Sequence, residues 1–253
     1  MKKLFLASLL TASLAIASAQ QGFHVGYKVA PQNTWMFNSD NSDNAHFRYV
    51  STWGVAHGLH FAYHFKPTVG VGLDLIFSRQ GQKFEEYKNS DYTNRITLRY
   101  LKLPILLHFN SDPEQPVMFV GQFGPQFAFL TKGELEVNEQ QTMISPLFVP
   151  IVPGTYDVKN SYAPVNIGWV LGFGLGTNFG TDFLAMTLQL RFDFAFTDAE
   201  DKPEVSDDAD AYSKAWYYYF YPSDASLQAV DRPSNFQATG GIEIGFKYII
   251  ATY

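Results

Sequence analysis

The sequence predicts an all-β chain, an eight-stranded antiparallel up-and-down transmembrane β-barrel with long extracellular loops. Three observations carry that expectation. Apolar residues alternate with small or polar ones in eight separate segments, short and long connections take turns between the segments, and 17% of the residues are aromatic although no later segment has the apolar length of a spanning helix. A strand shows each of its faces at every second residue, so alternation marks a strand with two unlike faces. Barrels of the outer membrane use tilted strands of about ten residues, with short periplasmic turns and long extracellular loops.

The N-terminus sets the compartment. Lys2 and Lys3 precede the apolar run 4–16, and Ala17-Ser18-Ala19 offers a small-x-small cleavage site, the pattern of a secretory signal peptide. The expected division is a signal peptide over 1–19 and a barrel domain over 20–253. The chain has no cysteine, which excludes a lipoprotein anchor and leaves an exported chain to be stable without disulfides. A formal net charge of −6 argues against nucleic-acid binding.

The first segment, Gly22 to Ala30, sets Phe23, Val25, Tyr27 and Val29 against His24, Gly26 and Lys28. The second, Gly54 to Phe65, sets Val55, His57, Leu59, Phe61, Tyr63 and Phe65 against Ala56, Gly58, His60 and His64. In the third, Val69 to Gln80, Val71, Leu73, Leu75 and Phe77 oppose Gly72, Asp74 and Ser78. The fourth, Ile96 to Phe109, turns Leu101, Leu103, Ile105, Leu107 and Phe109 away from Tyr100, Lys102, Pro104 and His108. The fifth, Val117 to Leu130, places Phe119, Phe123, Phe127 and Phe129 opposite Gln122, Gln126 and Ala128. The sixth, Val165 to Phe179, separates Ile167, Trp169, Leu171, Phe173 and Leu175 from Asn166, Gly172, Gly174 and Gly176. The seventh, Leu184 to Phe196, carries Arg191 and Asp193 between leucines and phenylalanines. The eighth, Phe236 to Ile250, parts Ile242, Ile244, Phe246 and Tyr248 from Gly241, Glu243, Gly245 and Lys247.

Between these segments the links 66–68, 110–116 and 180–182 are short and rich in turn residues. The links 31–53, 81–95, 131–164 and 198–235 are long, and the two kinds alternate strictly. A soluble barrel also alternates, but its polar face must be solvated. Here the second face is mostly Gly and Ala with charges placed singly, which suits the filled interior of a narrow eight-stranded barrel. Such charges need partners in a low-dielectric lumen. Lys28, Lys102, Arg191 and Lys247 are expected to pair with Asp74, Asp193 and Glu243 in a lumen charge network. The large aromatic face then meets lipid.

The C-terminal run 243–250 has the order polar-x-Gly-x-x-hydrophobic-x-hydrophobic, and Tyr253 is aromatic. It resembles the signal by which the outer-membrane insertion machinery recognises a last strand, with Gly245, Tyr248, Ile250 and Tyr253 as its residues. Tyr100-Leu101-Lys102-Leu103-Pro104-Ile105-Leu106-Leu107-His108-Phe109 and Gly121-Gln122-Phe123-Gly124-Pro125 resemble strands of the PorT-like, porin-like outer-membrane β-barrel family of Bacteroidota. The resemblance covers the layout of the mature chain and two strands in motif. It implies the fold and the outer membrane. It implies little about function, although PorT members are accessory to type IX secretion.

Other candidate sites weaken on inspection. On one strand His60 and His64 lie roughly 13 Å apart and His57 points to the opposite face, so no metal site is expected. Gly172 to Gly176 sits within a strand with no helix after it, which excludes a phosphate-binding loop. His57 faces lipid without a Ser or an acid that must join it, so no catalytic residue is assigned. Asp207, Asp208 and Asp210 lack the turn spacing of a calcium loop. Trp216, Tyr217, Tyr218, Tyr219, Phe220 and Tyr221 form an aromatic cluster in the last long loop and are the candidate partner surface.

The function expected is a non-enzymatic outer-membrane barrel with a plugged lumen, acting through its loops as an accessory or structural subunit of an envelope complex. Its partners are outer-membrane lipid, the insertion machinery and an envelope protein; no cofactor is expected. A small-solute pore is the alternative, and a lipid-modifying enzyme a more distant one.

Overall fold

The computed structural model describes residues 21–37, 47–86, 93–112, 115–138, 141–142, 150–151, 153–179, 181, 183–200 and 234–251. The strands are β1 (Gly22–Phe37), β2 (Phe47–Lys66), β3 (Val69–Glu86), β4 (Thr93–Asn110), β5 (Met118–Val137), β6 (Gln141–Thr142), β7 (Pro150–Ile151), β8 (Gly154–Asp157), β9 (Val165–Thr177), β10 (Leu184–Ala195) and β11 (Phe236–Ala251). Eight of them form a ring in the order β4-β3-β2-β1-β11-β10-β9-β5, closed by the β4–β5 pairing. Every neighbouring pair is antiparallel. Closure leaves no free edge in the ring, so its backbone groups pair internally, as a hydrocarbon surrounding demands.

The two faces are distributed in reverse of a water-soluble protein. Phe23, Leu59, Leu73, Phe123, Leu171, Leu190 and Ile242 are exposed, whereas Lys28, Asp74, Lys102 and Glu243 are at most 2% exposed. Charges inside and apolar side chains outside mean that the outer solvent is lipid. The eight expected strands are all present, and each sends to the outside the face expected to meet lipid.

Five strands run further than the alternation predicts, all toward the end that carries the long links. β1 continues past Ala30 to Phe37, β2 begins at Phe47 rather than Gly54, and β3 reaches Glu86 rather than Gln80. β4 begins at Thr93 rather than Ile96, and β5 reaches Val137 rather than Leu130. The reason is chemical. Beyond the lipid level the outward face becomes polar, at Arg79, Arg95, Arg99 and Lys132, while Phe84, Ile96, Leu98, Leu135 and Val137 remain buried. The strand persists while its apolar outward signal stops. β8, lying within an expected loop, pairs with the far end of β5, Glu134 facing Asp157 and Val137 facing Gly154.

Three irregularities shape the ring, two on β2, between Ser51 and Ala56 and between His64 and Lys66, and one where Arg99 and Tyr100 of β4 face β5. In the last, Arg99 faces Lys132 and Tyr100 faces Leu130, so Thr131 is the extra residue of a β-bulge.

Candidate functional site

The side chains that cross the lumen form one connected layer. His60 Nδ1 is 2.6 Å from Asp74 Oδ1. Lys28 Nζ donates to Asp74 Oδ2 at 2.8 Å and to Gln122 Oε1 at 2.9 Å. Gln122 Nε2 donates to Glu243 Oε1 at 2.9 Å, and Arg191 Nη1 donates to Glu243 Oε2 at 2.7 Å. Arg191 Nε then donates to Asp193 Oδ1 at 2.8 Å, whose other oxygen accepts from Lys102 Nζ at 2.6 Å. Gln126 Oε1 accepts from Arg191 Nη2 at 3.4 Å. This chain of contacts ties β2, β3, β1, β5, β11, β10 and β4 together. The remaining ring strand, β9, contributes an absence of side chain: a Cβ at Gly172 would come within 2.6 Å of Gln122 Cγ.

Three cations, Lys28, Lys102 and Arg191, meet three carboxylates, Asp74, Asp193 and Glu243, with none of their side chains more than 5% exposed. An isolated charge there would cost several kcal/mol, roughly, to bury. Reciprocal pairing with further hydrogen bonds offsets that cost, and the two glutamines supply such bonds.

Lys247 does not join them. It is buried, but among the described residues no carboxylate lies within ion-pair distance of it. Register explains the difference: Lys247 faces Gly26 and Ala185, and Glu243 lies four residues up the same strand, roughly 13 Å away. Lys247 instead borders a small gap with His24, Met118, Thr187 and Ile249 near the chain-terminal end.

Polar layers flank the charges on both sides. Toward the long links, Tyr100 Oη accepts from Gln237 Nε2 at 2.9 Å and Asn166 Nδ2 at 3.2 Å, while Gln32 Nε2 donates to Ser78 Oγ at 2.9 Å. Toward the short turns, His24 and His108, which sequence reasoning did not single out, join His60 and His64 in a group of imidazoles. His24 stacks on His64 with ring centroids 4.1 Å apart, and His108 lies 5.2 Å from His60 and 5.8 Å from His64. Gly70 and Gly72 make room for His64 and His108, whose ring atoms would lie within 2.4 and 2.5 Å of an added Cβ. Period-2 parity turns all four histidines inward; the register that stacks them is not visible in one strand. Among the described residues no group of three or more histidines and carboxylates is arranged to hold a metal.

The remaining candidates separate by position. Gly245 faces inward, where a Cβ would meet Thr187 Oγ1 at 2.6 Å, while Tyr248 and Ile250 face outward. Tyr253, the segment 1–19 and the cluster Trp216, Tyr217, Tyr218, Tyr219, Phe220 and Tyr221 lie outside the described residues. His57 is on the outer face, its Nδ1 2.8 Å from Tyr27 Oη. Among the described residues neither a serine nor a carboxylate hydrogen-bonds to it.

Three solved structures illustrate the likeness. Neisserial surface protein A (NspA) is 11% identical over 91% of this chain and 98% of its own, with a TM-score of 0.42. OprG from Pseudomonas aeruginosa is 9% identical over 92% and 98%, with a TM-score of 0.44. Ail, the attachment invasion locus protein of Yersinia pestis, is 11% identical over 90% and 99%, with a TM-score of 0.38. No curated protein matches the chain by sequence. Residues 17–201 match the family described as outer membrane protein beta-barrel domain. With its closed ring, lipid-facing apolar surface and charged interior, the chain belongs to that family and is a protein of the bacterial outer membrane.

Proposed function

We propose that this protein is a non-enzymatic barrel whose lumen is closed to solutes, and that it acts through its extracellular loops as an accessory or structural subunit of an envelope complex. The PorT-like resemblance makes a secretion apparatus the class of complex to test first. The observation that carries the reading is the balanced charge layer. In a pore, charged side chains line a water-filled path and stay solvated. Here they turn to one another; a gap lined by Lys102, Gln126 and Asp193, and another lined by Lys247 and His24 toward the chain-terminal end, measure about 20 Å³ each, room for about one water. With the lumen closed and no catalytic group assembled among the described residues, this reading leaves the loops as the working surface.

The test is conductance. Purified protein reconstituted in planar bilayers is expected to give no channel steps above the bare membrane. Reproducible ion-selective steps from a preparation free of other porins would overturn the closed-lumen reading and leave the small-solute pore in its place.

A further inference from the structure

Around the outer face of β3, β4 and β5 the apolar belt ends on one row of cations. Arg79 is the direct cross-strand partner of Arg99, and Arg99 of Lys132. The row immediately toward the membrane is Phe77, Leu101 and Phe129, again in register and facing outward. Two residues along a strand are about 6.6 Å, so the cations stand just above the last lipid-facing side chains. Trp53, 75% exposed on the adjacent β2, lies close to the same level, since Ala56 faces Ser78. Exposed tryptophan is typical of the headgroup zone.

Like charges placed directly opposite across strands repel, and this chain carries an overall negative charge of −6, so the row is not a by-product of a basic composition. Glu134 neutralises part of it, at 3.2 Å from Arg99 Nη2 and 2.6 Å from Lys132 Nζ. Among the described residues Arg79 has no ion-pair partner. Two outward-facing positions further from the membrane, Lys83 and Arg95 face each other beside Glu136 and Glu85, and Asp157 faces Glu134, so these cations still outnumber these carboxylates. The bulge contributes directly. Strict alternation from Phe129 would turn Lys132 inward; the extra Thr131 keeps both Thr131 and Lys132 on the outer face. The Arg99 and Lys132 side chains are each 51% exposed, open to a ligand at the surface of the belt.

We infer that Arg79, Arg99 and Lys132 form a binding site for the phosphate of an outer-leaflet lipid, the acyl chains lying along Phe77, Leu101 and Phe129. The inference rests on the usual orientation of such barrels, long links outward. Two guanidiniums and an ammonium supply the charge-assisted donors that a phosphate accepts, and an anion bridging the row removes the repulsion among its members. The occupant is a lipid headgroup rather than soluble phosphate because the apolar row below provides a seat only for a molecule with acyl chains.

The test uses the full mature protein in mixed micelles, with diphosphorylated lipid A and its dephosphorylated form as probes and retained lipid read by native mass spectrometry. Diphosphorylated lipid A is expected to be retained about tenfold better. The triple variant Arg79→Gln, Arg99→Gln, Lys132→Gln should lose that preference while keeping the heat-dependent gel shift of a folded barrel. Rescue by Arg99→Lys alone should be partial, since an ammonium keeps the charge and loses the bidentate fork. Equal retention of the two lipids, or a folded triple variant that keeps the preference, would overturn the inference. So would displacement of the bound lipid by inorganic phosphate.

Discussion

Arg191 and Glu243 bond across β10 and β11 at 2.7 Å although they are not register partners. Arg191 faces Gly241 on β11 and Gly172 on β9, and Glu243 faces Gln189. The guanidinium is therefore flanked by glycine on both neighbouring strands, which leaves it free to reach the diagonal carboxylate. Replacing it alone leaves three carboxylates, Asp74, Asp193 and Glu243, to two cations, Lys28 and Lys102, in the charge layer. Arg191→Met is expected to cost about 3–5 kcal/mol, and Arg191→Met with Glu243→Gln distinctly less. Urea unfolding of the barrel in one detergent checks this. A double variant no more stable than the single one would mean that the ion pair is not what the lumen depends on.

Gly172 sets the width of the lumen beside Gln122. Gly172→Val would press a side chain into the Gln122 carboxamide and pull it from Lys28 and Glu243. Overpacking of this kind costs about 1–3 kcal/mol. Gln122→Ala in the same background should restore part of the loss by vacating the space, giving a non-additive double-mutant cycle. Additive losses in unfolding experiments would place the two residues in independent environments.

What was legible in the sequence is whatever period 2 encodes. Inward and outward faces followed from parity, and the alternation of link lengths ordered the strands. Parity also turned Arg191, Asp193, Lys28 and Glu243 inward, but their bonds depend on register, which single strands do not reveal. Register is why Lys247 stands apart, why Gln122 and Gln126 complete the charge layer, and why His24 and His108 meet His60 and His64. The extensions of β3, β4 and β5 escaped for another reason. They leave lipid while remaining paired, so the apolar half of the pattern ends before the strand does.

His57 and Tyr27 hydrogen-bond on the lipid-facing surface, each satisfying the other's polar atom. A structural pair of this kind predicts a modest loss of stability, about 1 kcal/mol, for His57→Leu. It also predicts no change in membrane lipids. Lipid A and phospholipid profiles from cells expressing the parent protein and the variant should be the same as those of cells lacking it. A lipid product that appears with the parent and vanishes with His57→Leu would replace the non-enzymatic reading with a lipid-modifying one.

If the loops are the working surface, the aromatic run 216–221 is where a partner should hold, since large rings supply most of the energy of a protein contact. Deleting 212–222 removes those rings, while the lumen layer and the ring pairings described above lie outside the deleted segment. The deleted form should therefore still insert and still show the heat-dependent gel shift. Mild detergent extraction of a tagged copy from native membranes is expected to bring an envelope protein with the parent and not with the deletion. The same partner recovered with both forms would move the contact to another loop. No partner with either form would leave the subunit reading without support, and the barrel would then have to act alone.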